Sequence, residues 1–478
     1  MNLKPQTLQS TAILPEAFAQ RMRHKLNHDF EAFAAAHHHE APVSIRLNNN
    51  KLGSANGSLA KVPWTESGLC LPERPPFALD PRWHGGAYYA QEPSSMFLEQ
   101  AWKTVSLHLS KPPVILDLCA APGGKSTHLA GLLPEGGLLV ANEVIRQRAH
   151  ILAENVTKWG TGNVIVTNND PQNFGGLTGF FDTILIDAPC SGEGMFRKDL
   201  AAMHEWSMAN VKLCAERQRR IIAGVWDALK PGGFLIYSTC TYSEEENEHL
   251  LAWIAENHEV QGVDLQPDAD WNILETETNG LKGYRFYPHQ LRGEGLFMAV
   301  VRKTDGATAS PKKMKKPNWQ TASRKEKDLA AAWVRHPETR DWLRWQDKLL
   351  ALPAGCQPLA EQLGQHLRFV NAGVEVAGLI RDQANPLPAL ALFADVQTGA
   401  FATENLDLEN ALRFLKKEEI GFAHGTGWKL IVYEHLPLGW AKQIGHRANN
   451  YFPHDWRLRM DWRDVEKQLA DGKMRFGI

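Results

Sequence analysis

Two cysteines follow strand-like runs, at positions where a thiol could act as a nucleophile. Residues 183–198 read TILIDAPCSGEGMFRK, so an apolar run ends in Asp187 and Cys190 comes shortly after it. Fifty residues later the run FLIYSTCTYS contains Cys240. A partly ionised thiol at a strand end can attack an electrophilic carbon, whereas a free cysteine can also serve as a small apolar core residue. The two patterns alone leave both interpretations open.

A third motif, VILDLCAAPGGKSTHLA at 114–130, reads as a strand, a turn of small residues and the start of a helix. Small residues let the backbone approach a ligand, and a helix N-terminus offers free N–H groups. The G-K-S of this motif fits the end of a Walker A loop, but Cys119 stands where that loop requires its first glycine. Asp117 at the strand end would repel a pyrophosphate and would suit an amino-acid ammonium group.

Acidic residues also follow the next two strand-like runs. Glu143 comes 19 residues after Gly124, the spacing at which a carboxylate accepts hydrogen bonds from ribose hydroxyls. Asn169 and Asp170 follow the third run, where a base edge would lie. An ammonium-binding loop, a ribose acid and a base-edge acid together predict S-adenosylmethionine as the cofactor.

These motifs need a sheet that brings strand ends together. From 113 to 303, near-continuous apolar runs alternate with helical segments, which indicates a parallel sheet covered on both faces. The runs are PVILDL, GLLVANE, NVIVTN, DTILID, GGFLIYST and GLFMAVVRK. Ser243 and Glu246 have the S-x-x-E spacing of a capping box, which predicts a helix start beside Cys240 that would lower the pKa of its thiol. The predicted fold class is α/β, with a Rossmann-like core.

Length and composition predict several units around this core. The chain has 478 residues, too many for one ordinary core. We predict an N-terminal α+β unit at 1–105, an α/β domain at 106–303, a basic linker at 304–327 and a C-terminal region at 328–478 that could divide near 385–390. The segment 302–327 holds nine Lys or Arg against two Asp or Glu, which suits either a solvated linker or a phosphate-tracking segment.

Other compositional features restrict the class of protein. A net charge of −2 provides no global field that attracts nucleic acid, so any such attraction must be local. No run reaches membrane-spanning length, the N-terminus has no continuous apolar stretch of a secretory signal, and the six cysteines have no zinc-ligand spacing. The triple His37–His39 is interpreted as a solvated helix end on a helix over 14–39. We therefore expect a cytoplasmic protein without a metal and with reduced thiols.

The order of the motifs resembles that of a known family. DLCAAPGGKS, DAPCSGEG, STCTYSEEENE and GEGLFMAVVRK are similar to the signature blocks of RNA 5-methylcytosine methyltransferases, the family of the bacterial Fmu-type ribosomal enzymes. YAQEPSSM at 89–96 and RQRRII at 217–222 extend the resemblance over roughly 40–303, and LPLGWAKQIGHRANNYFPHDWR resembles a PUA-like RNA-binding module. The resemblance implies an S-adenosylmethionine-dependent methyltransferase domain at 106–303, an RNA-recognition unit at 1–105 and a PUA-like RNA-binding region at 328–478. It also implies that a monomeric enzyme methylates the cytosine at position 1407 of 16S rRNA, within the 30S subunit or in free rRNA.

The resemblance also implies roles for individual residues. Cys240 is the expected nucleophile, Cys190 the helper thiol, and Asp187 and Lys125 complete the catalytic set. The expected cofactor contacts, with Asp117 from the argument above, are Asp117, Cys119, Ala120, Ala121, Pro122, Gly123, Gly124, Lys125, Glu143, Arg148, Asp170 and Asp187.

The chemistry explains why two thiols and a carboxylate would be needed. Thiolate addition to cytosine C6 makes C5 nucleophilic, and a base must later remove the C5 proton so that the thiolate can leave. DNA cytosine methyltransferases attack with a Pro-Cys thiol, which would nominate Cys190, but their ENV motif lies downstream, whereas the ENV here, at 154–156, lies upstream. Glu154 is therefore interpreted as a helix surface residue, and the pattern favours Cys240.

Other functions stay open at this point. The same chemistry on tRNA or on another rRNA cytosine would use the same motifs, because substrate choice depends on surface shape. A catalytically silent RNA-binding protein is a further alternative, although intact Asp187, Cys190 and Cys240 argue against it.

Overall fold

The computed structural model describes residues 14–52, 59–109, 112–306, 319–421 and 425–470. Its first part combines short helices with a small antiparallel sheet of order β2–β1–β3. The elements are α1 (Glu16–Leu26), α2 (Phe30–Ala36), β1 (Val43–Leu47), β2 (Gly68–Leu71), α3 (Pro81–His84), β3 (Tyr88–Ala90) and α4 (Leu98–Ser106).

The predicted continuous helix over 14–39 is wrong, because the chain turns between α1 and α2. Asn27 has a φ of 49°, and residues 27–29 form a short 3-10 turn. The turn lets Phe18 of α1 and Phe33 of α2 enter one buried aromatic cluster, with ring centroids 6.2 Å apart. His38 and His39 are exposed just after α2.

All six apolar runs form strands of the central sheet, which has ten strands among the described residues. The elements are β4 (Val114–Asp117), α5 (Gly124–Leu132), β5 (Leu138–Asn142), α6 (Arg146–Trp159), β6 (Val164–Thr167), β7 (Phe181–Asp187), α7 (Leu200–Glu205), α8 (Met208–Val225), β8 (Leu229–Thr239), α9 (Glu248–Asn257), β9 (Val260–Gly262), β10 (Leu274–Thr278), β11 (Leu281–Phe286) and β12 (Leu296–Lys303). Strands β8–β7–β4–β5–β6 are parallel neighbours, and buried apolar clusters cover both faces. The Rossmann-like α/β fold is confirmed.

The sheet is mixed rather than wholly parallel. The last predicted run forms β12, which pairs antiparallel with β8, and β11 and β10 follow it to the edge. A tight β10–β11 turn reverses the chain, so no crossover helix is needed there. Strand order reverses between β4 and β7, and ligands of open α/β sheets bind at the carboxyl end of such a switch point.

The C-terminal region adds two sheets and also extends the central one. Its elements are β13 (Gln320–Thr321), α10 (Arg324–Asp328), β14 (Arg340–Trp345), β15 (Lys348–Pro353), α11 (Gln357–Leu363), β16 (Phe369–Ala372), β17 (Val374–Ile380), β18 (Gln383–Pro386), α12 (Pro388–Leu392), β19 (Ala402–Asn405), α13 (Leu408–Leu415), β20 (Gly427–Tyr433), β21 (Leu436–Ile444), β22 (Arg447–Asn450) and α14 (Trp462–Ala470). β16 pairs antiparallel with β6 of the central sheet.

The predicted linker, the absence of membrane spans and metal sites, and the domain boundaries can be compared with the described residues. Half of the predicted basic linker, 307–318, lies outside the described residues, whereas 319–327 holds β13 and the start of α10. Within the described ranges, no helix is long and apolar enough to cross a membrane. The same ranges hold no group of three or more His, Cys, Asp or Glu side chains placed around a metal. The domain boundaries at 105, 303 and 327 stay a prediction.

Candidate active site

The two strand-end thiols face each other across neighbouring strands. Cys190 follows β7 and Cys240 follows β8, and their sulfur atoms are 3.2 Å apart. Both cysteines are free and partly exposed, whereas Cys70, Cys214 and Cys356 are free and buried. The parallel pairing of β7 with β8, which sets Asp187 beside Ser238, produces this arrangement. The three buried cysteines are therefore small apolar core residues.

Protonation distinguishes the two thiols. The hydrogen bond to Cys240 raises the pKa of Cys190 well above its usual range, and burial raises it further. Cys190 is therefore the thiol for which this arrangement disfavours ionisation, because the neighbouring sulfur and burial both oppose a negative charge on it.

Asp187 and Lys125 form an ion pair beside the thiols. Lys125 Nζ lies 2.9 Å from Asp187 Oδ2, and Ser238 Oγ donates to Asp187 Oδ1 at 2.7 Å. Burial opposes the charge on Lys125, but the adjacent Asp187 carboxylate outweighs it, and the pKa of Lys125 is raised overall. The carboxylate is 37% exposed, so it remains reachable by a ligand. Ser238 could not be identified from sequence because it is one of several small polar residues in its block.

The buried carboxylate of Glu246, which was predicted to belong to a capping box, joins the two cysteine segments. Glu246 Oε2 accepts from Ser191 N and from Gln218 Nε2, both at 2.9 Å. The predicted capping box is therefore wrong: Ser243 Oγ accepts from Glu246 N at 3.4 Å, but the Glu246 side chain turns away, and α9 begins only at Glu248. The helix start is correspondingly further from Cys240 than predicted.

A second buried carboxylate ties the N-terminal helices to this region. Glu193 has a fully buried side chain that forms an ion pair with Arg21 of α1. It also accepts from Trp206 Nε1 at 2.9 Å and from the Tyr242 N–H at 3.0 Å. Tyr242 stacks on Tyr287 with centroids 5.4 Å apart. The N-terminal helices thus contact and stabilise the loops that carry the thiols.

The small-residue turn after β4 lies at the switch point of the sheet. Gly123 has a φ of 116°, a left-handed conformation that favours glycine, and it precedes the N-terminus of α5. Three hydrogen bonds to residues beyond the turn fix its backbone. Ala120 N donates to Asn142 O, Arg148 donates to Ala121 O, and Asn155 donates to Pro122 O, each at 2.8 Å. Burial raises the pKa of Cys119, which makes it a wall residue of this turn rather than a nucleophile.

Asp117 provides the test of whether this turn suits S-adenosylmethionine. Its side chain is fully buried, Oδ2 accepts from Ser126 Oγ at 2.6 Å, and Oδ1 has no hydrogen-bond partner. Burial raises the pKa of Asp117 to about 7. A buried carboxylate oxygen without a partner is costly unless a ligand supplies a donor. An amino-acid ammonium group supplies one, so the residues fit this cofactor.

The two other acids lie along the same edge, but with different surroundings. Glu143 is buried, pairs with Arg148 at 3.2 Å and accepts from Ile145 N at 2.9 Å. Asp170 is exposed and caps the 3-10 turn at 171–176 by accepting from Gln172 N. Asn169 instead bonds to the backbone of Arg368, so a segment of the C-terminal region reaches this edge. The sequence contained no signal for that contact.

Glu154 lies away from the thiols, as predicted. It is on α6, where it pairs with Lys158 one turn later at 2.6 Å.

Three family models match successive parts of the chain. The model of 16S rRNA methyltransferase RsmB/F matches 104–302, the model of the N-terminal domain of RsmF matches 14–93, and the model of the RsmF PUA domain matches 402–458. The ribosomal RNA small subunit methyltransferase F of Escherichia coli O139:H28 is 31% identical, with 94% of this chain and 97% of that protein covered. The Escherichia fergusonii protein of the same name is 32% identical over the same shares.

A solved structure has the same core. A methyltransferase homolog protein from Pyrococcus horikoshii superposes with a TM-score of 0.51 at 30% identity, covering 60% of this chain and 95% of that one.

Proposed function

The chain belongs to the ribosomal RNA small subunit methyltransferase F family of S-adenosylmethionine-dependent enzymes, and on this premise we propose that it methylates carbon 5 of a cytosine in 16S rRNA. The observation that carries the proposal is the pair of thiols 3.2 Å apart, beside Asp187, at the carboxyl end of the sheet. Methylation of a ribose or of an exocyclic nitrogen has no use for two facing thiols.

In the proposed reaction, the Cys240 thiol loses its proton to solvent and the resulting thiolate attacks cytosine C6. The Sγ–C6 bond forms while the C5=C6 electron pair moves toward C5 and, by delocalisation, toward N3. Asp187 accepts a hydrogen bond from the N4 amino group, the contact by which carboxylates read cytosine. Lys125, 2.9 Å from Asp187, balances the charge of that carboxylate and stabilises negative charge developing on the base. S-adenosylmethionine supplies the methyl group that C5 accepts.

Release needs a base for the proton on C5. The hydrogen bond to Cys240 raises the pKa of Cys190, and that effect depends on the charge of its partner. Once Cys240 Sγ is bonded to C6 it is an uncharged thioether, so Cys190 becomes easier to ionise at the step that needs a base. Cys190, after losing its proton to solvent, takes the C5 proton; the C–H pair re-forms the C5=C6 bond, and Cys240 leaves as a thiolate.

The substrate base must leave its stack to reach these groups. Resemblance to the family supports position 1407 of 16S rRNA, presented within the 30S subunit, as the target, and a monomeric enzyme. The segment matched by the PUA model, 402–458, is proposed to bind the RNA and position it by phosphate and shape contacts rather than by reading the target base.

The proposal is tested by bisulfite sequencing of rRNA and tRNA from a strain that lacks the gene. Loss of one protected cytosine in 16S rRNA, restored by the wild-type gene and not by Cys240→Ala, is the expected result. Loss confined to a tRNA would replace rRNA by tRNA as the substrate, and an unchanged pattern in all RNAs would contradict cytosine-C5 methylation.

A further inference from the structure

Glu246 lies where the segments that carry the two thiols meet. It is buried, it belongs to the Cys240 segment, and its carboxylate bonds to the Cys190 segment. We infer that Glu246 is a positioning residue that holds Cys190 in register with Cys240 for the release step. The inference rests on the proposed division of roles between the thiols.

The carboxylate supports the Cys190 loop on both sides of the cysteine. After Cys190, the backbone N–H and the hydroxyl of Ser191 both donate to Glu246. Before it, Gln218 Nε2 donates to Glu246 Oε2 at 2.9 Å and to the Pro189 carbonyl at 3.0 Å. Residues 189–191 are therefore tied to one acidic side chain.

The backbone of Glu246 and the neighbouring Asn247 are fixed relative to Cys240 by hydrogen bonds. Tyr237 OH, on β8, donates to the Glu246 carbonyl at 2.7 Å. Asn247 accepts from Thr239 Oγ1 at 2.7 Å and donates to the Thr241 carbonyl at 3.0 Å, so it bonds to the residues on both sides of Cys240. Thr241 Oγ1 lies 2.9 Å from Ser191 Oγ and joins the two segments a second time.

The donor set explains why this position holds a carboxylate. Two N–H groups and one O–H group converge on Glu246, and a carboxylate offers only acceptors. An amide in its place would turn an NH2 group toward one of these donors. Burial raises the pKa of Glu246 to about 7, a cost that the protein tolerates for the sake of these contacts.

Loss of this support should affect the two thiols unequally. Cys240 follows directly on β8 and keeps the contacts of Asn247 and of the strand. The Cys190 loop is anchored at its ends by backbone bonds from Ala188 N to Ser238 O and from Gly194 N to Cys240 O. Between these ends Glu246 accepts two hydrogen bonds from Ser191, and the contact of Thr241 Oγ1 with Ser191 Oγ is the further support. Attack should therefore persist in a Glu246 variant while proton removal fails, and the enzyme should remain bonded to its RNA.

The experiment compares Glu246→Gln with Cys190→Ala, Glu244→Gln and Glu246→Gln/Cys240→Ala. Each full-length protein is incubated with methyl-labelled S-adenosylmethionine and 30S subunits from the deletion strain, and is then run on a denaturing gel. Glu244 is 52% exposed and pairs with Lys25, so Glu244→Gln is the matched control in the same loop. Ser191→Ala, which removes only a hydroxyl, is the second variant if Glu246→Gln does not fold.

We expect a labelled protein–RNA adduct with Glu246→Gln and with Cys190→Ala, and none with the control or the double variant. Turnover by Glu246→Gln should fall by about a hundredfold, the effect of a displacement of about 1 Å, while its KM for S-adenosylmethionine stays unchanged. An adduct with Cys190→Ala but not with Glu246→Gln or Ser191→Ala overturns the inference and leaves the proposed function intact. No adduct with Cys190→Ala either overturns the proposed roles of the thiols.

Discussion

Asn169 and Arg368 hold each other through two hydrogen bonds across the edge of the central sheet. The Arg368 N–H donates to Asn169 Oδ1 at 2.9 Å, and Asn169 Nδ2 donates to the Arg368 carbonyl at 3.1 Å. Together with the pairing of β16 on β6, this contact makes a segment of the C-terminal region part of the rim of the proposed cofactor site. The C-terminal region is therefore in direct contact with the edge at which we propose that the cofactor binds.

Replacement of this asparagine tests the link. We expect Asn169→Ala to lower the free energy of unfolding by about 1–2 kcal/mol, since two hydrogen bonds are lost. It should also weaken S-adenosylmethionine binding, measured by calorimetry, because the rim segment loosens. The exposed neighbour Gln172, changed to alanine, is the control. Equal cofactor affinity in the two variants would show that the contact does not reach the cofactor site.

The buried carboxylate of Asp117 should make stability and cofactor binding depend on pH in opposite directions. Its pKa is raised to about 7 from an ordinary value near 3.8, so the folded cofactor-free protein binds a proton more tightly than the unfolded chain does. This contribution to stability is fully present below about 3.8 and is lost as the pH rises through about 7. Cofactor affinity should instead increase over the upper part of that range, because the ionised form pairs with an ammonium group.

Asp117→Asn separates these effects. At pH 8 the cofactor-free variant should be more stable than the wild type by about 1–3 kcal/mol, because no buried charge is present. It should fail to bind S-adenosylmethionine at any pH. Urea unfolding and calorimetry at pH 6 and pH 8 measure both quantities, and a variant that binds the cofactor as the wild type does would remove Asp117 from the site.

The ion pair between Arg21 and Glu193 should stabilise the loop after Cys190. Arg21→Met leaves a fully buried carboxylate without its cation, for which we expect a loss of about 2–4 kcal/mol. Glu193→Gln in the same chain should recover part of the loss, since it removes the unpaired buried charge and its amide oxygen still accepts from one of the two remaining donors, Trp206 Nε1 or Tyr242 N. Additive losses in the double variant, measured by urea unfolding, would exclude the coupling.

The thiol of Cys240 should be essential for methyl transfer but not for cofactor binding. Cys240→Ala should therefore bind S-adenosylmethionine with wild-type affinity and transfer no methyl group to 30S subunits. Cys70→Ala, at a buried thiol in another part of the core, should retain transfer. Substantial activity in Cys240→Ala would assign the attack to another residue.

Sequence patterns predicted the strands of the core and the residues at their ends because both depend on local order. Continuous apolar runs identify β4 to β8, and parallel pairing then brings Asp117, Asp187 and Cys240 to one edge. The antiparallel pairing of β12 with β8 could not be predicted, because an apolar run does not show whether its strand is parallel or antiparallel to its neighbour.

The residues that support the site could not be predicted from sequence, because their partners lie far away along the chain. Glu193 and Arg21 are 172 positions apart, and Asn169 and Arg368 are 199 apart, so no periodicity connects them. Glu246 was assigned to a capping box because its spacing from Ser243 fits one, whereas tertiary contacts with Ser191 and Gln218 determine where its side chain points.

The central claim is that Cys240 attacks the base and Cys190 permits release. The most direct test is a denaturing gel of Cys190→Ala, Cys240→Ala and the double variant after incubation with 30S subunits and methyl-labelled S-adenosylmethionine. We predict a labelled protein–RNA adduct in Cys190→Ala alone. An adduct in Cys240→Ala with an inert Cys190→Ala would reverse the two roles, and the absence of an adduct from both single variants would contradict the claim.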